Sequence, residues 1–298
     1  MCFAQRYYRQ EYISLQKRLK QFSATMNKNH ILTLSVIILT ALCSFGMNSN
    51  LKNDSTLCQF NNIKQEKKFQ YLDEEGDTLY IDNKVSVFWP TVINGKPCAN
   101  LQRHLLRMMI DSEELNTLEL ALDALLKPDN RDDIIPGTVK PVENIPDNEF
   151  RTNTSEIILR LQDMGERLLT YHIHYYAYMA GGAHGYYTNN FATYDLNTNK
   201  VLSLSDIIAD TTMLRTATLN SIKQTYEYDI DDLFLPDNGL LPLPKEFYFQ
   251  DQVLHVVYQV YEIASYAQGL IDVPIYPYML EDMNQLFTPL GMELIGYE

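Results

Sequence analysis

Tyr178-Met179-Ala180-Gly181-Gly182-Ala183-His184-Gly185 closes one tyrosine-rich segment and opens the next, which runs through Asn190-Phe191 to Asp195-Leu196-Asn197-Thr198-Asn199-Lys200. Three glycines stand within five residues, around one Ala and one His. They open backbone conformations closed to other residues. In a strand-rich chain such a spot marks a sharp reversal, or a place where another surface comes close to the backbone. The flanking stretches, 167–179 and 188–195, are therefore expected to be strands joined by this turn.

Working outward, residues 155–162 form an earlier strand that meets 167–179 at Asp163-Met164-Gly165-Glu166. Further upstream, Phe69-Gln70-Tyr71-Leu72 and Thr78-Leu79-Tyr80-Ile81 flank a turn at 73–77 and predict a hairpin. Val85, Val87 and Trp89 alternate with polar or opposite-facing neighbours as a further strand, which Pro90 is expected to end. Residues 99–126 carry helical spacing, with Leu101, Leu105, Met108 and Met109 on one face. Asp111-Ser112-Glu113-Glu114 offers a capping box ahead of Leu115, and Pro128 stops the second helix. The proline-bearing span 128–150 is a loop.

Downstream, Asn197-Thr198-Asn199 makes a turn in which Asn199 adopts the left-handed conformation. Ser205 and Asp206 are expected to cap a short helix. Residues 211–227 read as helix and 230–244 as loop. Phe247-Tyr248-Phe249 and 253–260 form a hairpin about Asp251-Gln252. Ile271, Val273 and Ile275 alternate on a last strand before a helix-like stretch at 278–287. Helices separated by strand pairs, without βαβ alternation, predict an α+β class: two modules of mostly antiparallel sheet packed with helices. The expected division is 66–187 and 188–298.

The chain has 298 residues, 46% hydrophobic and 21% charged, as a folded globular protein does. Residues 31–42, ILTLSVIILTAL, are too short to span a bilayer comfortably and suit the apolar core of a signal peptide, with Lys28 and His30 before them. Residues 1–43 are read as this signal region, with Met26 a candidate true start, and 44–65 as a tether. Cys43 ends the apolar run and is a candidate for lipidation, although Leu42 is bulkier than a lipobox favours. Past residue 43 there remain 18 Lys and Arg against 37 Asp and Glu, a net of −19. Such a body repels nucleic acid and anionic lipid, and attracts cations and basic proteins. Cys58 and Cys98 are candidates for one disulfide, which would close a loop of about 40 residues and add roughly 3–4 kcal/mol. The alternative is two unpaired thiols.

His172 and His174, two apart on a strand, share a face, and His184 follows in the glycine turn. Three imidazoles can hold zinc with an open fourth position. The other reading is ordinary residues of a half-exposed strand, and no metal or other cofactor is assigned. Glu262, among Tyr258, Tyr261 and Tyr266, is either an acid of raised pKa or a carboxylate bonded to backbone amides at a loop. No G-x-S-x-G, HExxH, P-loop or G-x-G-x-x-G motif occurs. Strand alternation places Tyr171 and Tyr175 on one face and Tyr176 and Tyr178 on the other, so the tyrosines of this region cannot all serve one surface. The binding candidates are Tyr178, Gly181, Gly182, His184, Tyr186, Tyr261, Glu262 and Tyr266.

Two blocks of sequence carry a resemblance. One is Tyr178, Gly181 to Gly185, Asp195-Leu196, Thr198, Lys200, Leu202, Leu204 and Asp206. The other is Phe247-Tyr248-Phe249, then Tyr261-Glu262-Ile263-Ala264, Tyr266-Ala267, Gly269 and Val273-Pro274-Ile275. Together they resemble the extracytoplasmic part of RsiV-like anti-sigma factors, preceded by the N-terminal module of PdaC-type deacetylases. Asn199 departs from the Gly usual in that turn. The resemblance implies a non-catalytic extracytoplasmic module, which in RsiV-like proteins binds lysozyme. The resulting expectation is a non-enzymatic, exported envelope protein, periplasmic or outer-membrane-anchored, that binds a lysozyme-like protein or a cell-wall ligand. The alternative is a metal- or carboxylate-dependent hydrolase of peptidoglycan or glycans.

Overall fold

Period-two alternation sets the first hairpin. In β2 (Thr78–Ile93), Val85, Val87 and Trp89 are buried on one face, while Lys84, Ser86 and Phe88 stay half-exposed on the other. Its partner β1 (Gln59–Leu72) pairs with it along almost its full length. The computed structural model describes residues 58–128, 134–147, 149–228, 230–276 and 283–296. The signal region, the candidate start Met26, Cys43 and the tether up to residue 57 lie outside the described residues. The last expected tether residues instead form the start of β1. Among the described residues no helix is long and apolar enough to cross a membrane.

Pro90 does not end β2. Its missing N–H is harmless there because β5 (Thr152–Met164) pairs with β2 only as far as Val87, and the β1 register shifts at the same level, between Gln59 and Phe60. Past it, β3 (Lys96–Pro97) turns back on the end of β2. Next come α1 (Ala99–Met109) and α2 (Leu118–Leu125). In α1, Leu101, Leu105, Leu106 and Met109 are buried, each such side chain contributing about 1.5–3 kcal/mol. The expected capping box at 111–114 lies in the connection between the helices. The cap of α2 is Thr117, whose hydroxyl accepts the Leu120 N–H at 3.3 Å.

After β4 (Lys140–Val142), β5 returns beside β2 in parallel, the one parallel pairing among the described strands. Then β6 (Leu168–Tyr178), β7 (Tyr186–Asp195) and β8 (Lys200–Val201) follow as antiparallel neighbours, giving the order β4-β1-β2-β5-β6-β7-β8 with β3 on β2. The chain continues through α3 (Leu204–Ile207) and α4 (Thr211–Tyr226) into a second sheet, ordered β11-β10-β9. Its strands are β9 (Glu246–Gln250), β10 (Val253–Tyr258) and β11 (Ile271–Ile275). Asp251 and Gln252, both at positive φ, make the two-residue turn between β9 and β10. α5 (Met283–Leu286) and α6 (Pro289–Leu294) follow. The short helix α3 is capped from Ser203, not Ser205: Asp206 accepts the Ser203 N–H at 2.7 Å and its hydroxyl at 2.6 Å. The class is α+β with mostly antiparallel sheet.

Two apolar cores form. One runs from Val85 to Leu196 behind the large sheet, the other from Leu202 to Ile295 behind the small one. They divide after β8, since Val201 still packs on the first core and Leu202 belongs to the second, so that β7 and β8, beyond the expected 187/188 boundary, sit in the large sheet. Asp195 and Arg167 tie this turn together, with Arg167 Nε and Nη2 at 3.2 and 3.3 Å from the two carboxylate oxygens. Arg167 also pairs with Glu293 on α6, which joins the two cores electrostatically. Asn199 takes the left-handed conformation at φ +56°, as read from the sequence.

Candidate functional site

The site begins with strand alternation. On β6, Tyr171 and Ile173 enter the first core, whereas His172, His174, Tyr176 and Tyr178 project from the opposite face. On β7 their cross-strand partners are Phe191, Asn189 and Tyr187, opposite His172, His174 and Tyr176. On the small sheet, Phe247 and Phe249 turn into the second core, and Tyr248 turns outward beside His255.

These alternations produce a ladder of rings. His172 stacks on Phe191 at 4.8 Å, Phe191 on Tyr248 at 4.5 Å and Tyr248 on His255 at 4.6 Å, each pair 18° from parallel. The four rings come from β6, β7, β9 and β10. Their separation matches the spacing of hydrogen-bonded strands, so the ladder crosses the seam between the two sheets as if they were one. At one end Arg160 Nε donates to His172 Nδ1 at 2.9 Å. At the other, Asp272 accepts from His255 Nδ1 at 2.9 Å and from the Tyr248 hydroxyl at 2.6 Å.

The β7–β9 seam is closed by side chains rather than by a backbone ladder. Gln259 brackets Asn189, accepting its N–H at 2.9 Å and donating to its carbonyl at 2.6 Å. Glu246 accepts the Phe191 N–H at 2.7 Å. Thr170 donates to the Phe249 carbonyl at 3.3 Å. Outward backbone groups of Asn189 and Phe191 on β7 and of Phe249 on β9 are thereby satisfied, which also blunts the tendency of these edges to pair with another chain. Burial pushes the Glu246 carboxyl up to about 7; the Phe191 amide opposes that rise and Glu262 adds to it.

The glycine turn sits at the top of the same face. Gly182 N–H donates to the Met179 carbonyl at 2.8 Å, and Gly181 takes φ +76°. The Tyr178 hydroxyl donates to the Gly182 carbonyl at 3.0 Å. Gly185 permits close approach, because a Cβ there would lie 2.4 Å from the outer end of the Tyr176 ring, which would have to shift. His184 stacks on Tyr266 at 4.1 Å, Tyr187 meets Tyr266 edge-on at 5.9 Å and Tyr261 lies 5.5 Å from it. The Tyr266 hydroxyl donates to the Gly185 carbonyl at 2.7 Å, fastening the 259–269 loop to the turn. Tyr261 is 52% exposed and held at φ +66°, a left-handed conformation rare for an aromatic residue.

Of the expected binding residues, Tyr178, Gly181, Gly182, His184, Tyr261 and Tyr266 gather around this turn. Tyr186 does not: it pairs with Ala177 and projects from the other face of the sheet. Glu262 accepts the Gln259 N–H at 2.8 Å at a loop, the backbone-bonded alternative. His174, 6.1 Å from Tyr187 and 6.4 Å from His172, links the turn cluster to the ladder. The sequence reading missed Phe191, Tyr248, His255 and Asp272. Alternation within each strand could have placed each on a face, but not beside one another.

The imidazoles are engaged as follows. Arg160 has only donors, so His172 Nδ1 accepts and Nε2–H donates to Asn189 Oδ1 at 2.7 Å. His174 Nδ1 shares that oxygen at 3.0 Å, and His184 Nδ1 bonds the Gly185 carbonyl at 2.9 Å. Burial, then the neighbouring Arg160 charge, brings His172 down to about 4. Among the described residues, no three His, Cys, Asp or Glu side chains group to hold a metal ion. Cys58 is half-buried and Cys98 buried, both free thiols. Burial pushes Cys98 up, and Cys58 adds to the rise.

Residues 197–277 match a family described as "Protein of unknown function (DUF3298)". The matched segment runs from the β7–β8 turn through β11, and supplies Tyr248, His255, Tyr261, Tyr266 and Asp272 to the ring face. The fold is similar to a solved DUF3298 family structure from Bacteroides fragilis NCTC 9343, at 18% identity over 80% of this chain and 97% of that one, with a TM-score of 0.57. It is also similar to a DUF3298 family protein from Pseudomonas aeruginosa PAO1, at 16% identity over 78% and 95%, with a TM-score of 0.50. At these identities the likeness is one of fold. No curated protein matches the chain.

Proposed function

We propose that the protein is a non-enzymatic binding protein of the cell envelope, whose ring face recognises a cell-wall glycan. The observation that carries this reading is the cluster of accessible rings about the glycine turn, from exposed Tyr261 through Tyr266 to His184, Tyr187 and His174, backed by the His172–His255 ladder, in which His172 and Tyr248 are buried. Aromatic faces offer sugar rings apolar contact, with hydroxyl and amide groups beside them for orientation. The groups a hydrolase would use are committed to structure: His172 to Arg160 and Asn189, Glu262 to the Gln259 amide. The apolar run at 31–42 supports export, with Cys43 as the lipid attachment point, to the periplasm or the outer membrane. The RsiV-like and PdaC-type resemblance supports an extracytoplasmic, non-catalytic role.

A second reading follows from charge. The net of −19 past residue 43 favours a basic protein partner such as lysozyme. The test is binding of the purified protein to peptidoglycan fragments and to chitotetraose, alongside lysozyme at low and high salt. Saturable glycan binding that Tyr261→Ala weakens supports the first reading; salt-sensitive lysozyme binding with no glycan binding selects the second. Turnover of cell-wall fragments would overturn both.

A further inference from the structure

A groove of about 600 Å³ opens behind the large sheet, between α1 and the segment that leads into α2. It lies on the Trp89 face of β2 and shares no residue with the ring face. Its apolar wall is made by Trp89, Leu106 and Leu115, and Arg103, Arg107 and Glu113 line its polar side. Arg103 and Arg107 are one turn apart on α1, so their guanidiniums share one helical face. Arg103 is exposed and has no ion-pair partner among the described residues. Arg107 Nη2 meets Glu113 Oε1 at 3.5 Å, with the two side chains 59% and 91% exposed.

We propose that this groove binds an organic carboxylate carrying an apolar body. The size is that of a small-ligand site, and the lining has the usual division: an apolar wall with a few charged groups that fix orientation. Two guanidiniums are local exceptions on a strongly acidic body, and a guanidinium fork matches a carboxylate in shape and charge. Glu113 is the internal version of that contact. An ion pair this exposed is weak and exchanges readily, so a ligand carboxylate displaces Glu113 from Arg107 and also engages Arg103. The apolar body then lies along Leu106 and Leu115 toward Trp89.

Trp89 is the sole tryptophan, so its emission reports the groove directly. The experiment titrates the intact protein with octanoate and, separately, with octan-1-ol. The expected result is a saturable change in Trp89 emission with octanoate and about ten-fold weaker binding of the neutral alcohol. Arg103→Gln is expected to weaken octanoate about three-fold or more, toward the level of the alcohol, without moving the melting temperature. Glu113→Gln is expected to tighten octanoate about two- to five-fold by removing the internal competitor. Equal response to acid and alcohol, unchanged octanoate affinity in Arg103→Gln, or weaker binding in Glu113→Gln overturns the proposal.

Discussion

His172 and Glu246 meet through one residue: Phe191 stacks its ring on His172 at 4.8 Å and gives its backbone N–H to Glu246 at 2.7 Å. Both groups titrate away from their ordinary values, in opposite senses. Glu246 is raised from 4.5 to about 7, so its contribution is fully present below pH 4.5 and lost as pH rises through 7. His172 is lowered from 6.5 to about 4, so its contribution is present above pH 6.5 and lost as pH falls toward 4. Between pH 4.5 and 6.5 the two slopes oppose each other. Glu246→Gln keeps an acceptor for the Phe191 amide without the charge. Its stability relative to the parent is expected to rise across this window, by up to ~1.4 kcal/mol per pH unit. His172→Gln, read the same way, is expected to show the opposite slope. Denaturant melts at pH 4.5, 5.5 and 6.5 check both, and parallel curves for parent and variants would sink the assignment.

Gly185 allows the Tyr176 ring to lie against the backbone of the turn. Gly185→Ala forces that ring or the turn to shift, an overpacking cost of about 1–3 kcal/mol. Tyr176→Leu in the same chain is expected to recover much of that loss relative to Tyr176→Leu alone. Thermal melts of the double-mutant cycle measure it. A Gly185→Ala protein as stable as the parent contradicts the close contact.

Much of this architecture was legible because it is written locally. The three glycines mark the turn, Asp251-Gln252 the later hairpin, and alternation sends Tyr171 inward and His172 outward. What stayed hidden is non-local. Pro90 reads as a terminator until β5 is known to stop at Val87. The strands β7 and β9 lie 50 residues or more apart in sequence, and nothing in either stretch states that Phe191 will stack on Tyr248. That register is set by Gln259 and Glu246 closing the seam, polar side chains that carry no periodic signal. Tyr186 illustrates the converse, since one step along β7 moves a tyrosine from the ring face to the other side.

Cys58 and Cys98 differ in access, and burial pushes the Cys98 thiol up. Cys98 is 4% exposed, whereas Cys58 is half-buried. Thiolate is the reactive form, so Cys58 is expected to be alkylated at pH 8 well before Cys98, by about ten-fold or more in rate. Mass-spectrometric time courses with iodoacetamide on the reduced, folded protein distinguish the two positions. Equal rates under native conditions would mean that Cys98 is not enclosed. The same labelling on protein purified without reductant tests the expected disulfide, which requires both thiols to be blocked.

Tyr266 has two roles that substitution can separate. Its ring carries the contacts with His184, Tyr187 and Tyr261, while its hydroxyl ties the 259–269 loop to the Gly185 carbonyl. Tyr266→Phe keeps the platform and removes one hydrogen bond, a loss of about 0.5–1.5 kcal/mol. Tyr266→Ala removes both. If the ring face binds glycan by stacking, Tyr266→Phe retains chitotetraose affinity within about three-fold, and Tyr266→Ala loses about ten-fold or more. Amide hydrogen exchange across 259–269 gives the second readout: Tyr266→Phe is expected to accelerate exchange in that loop while leaving ligand affinity nearly intact. Binding lost equally in both variants would place the recognition on the hydroxyl or the loop geometry, and not on the aromatic face.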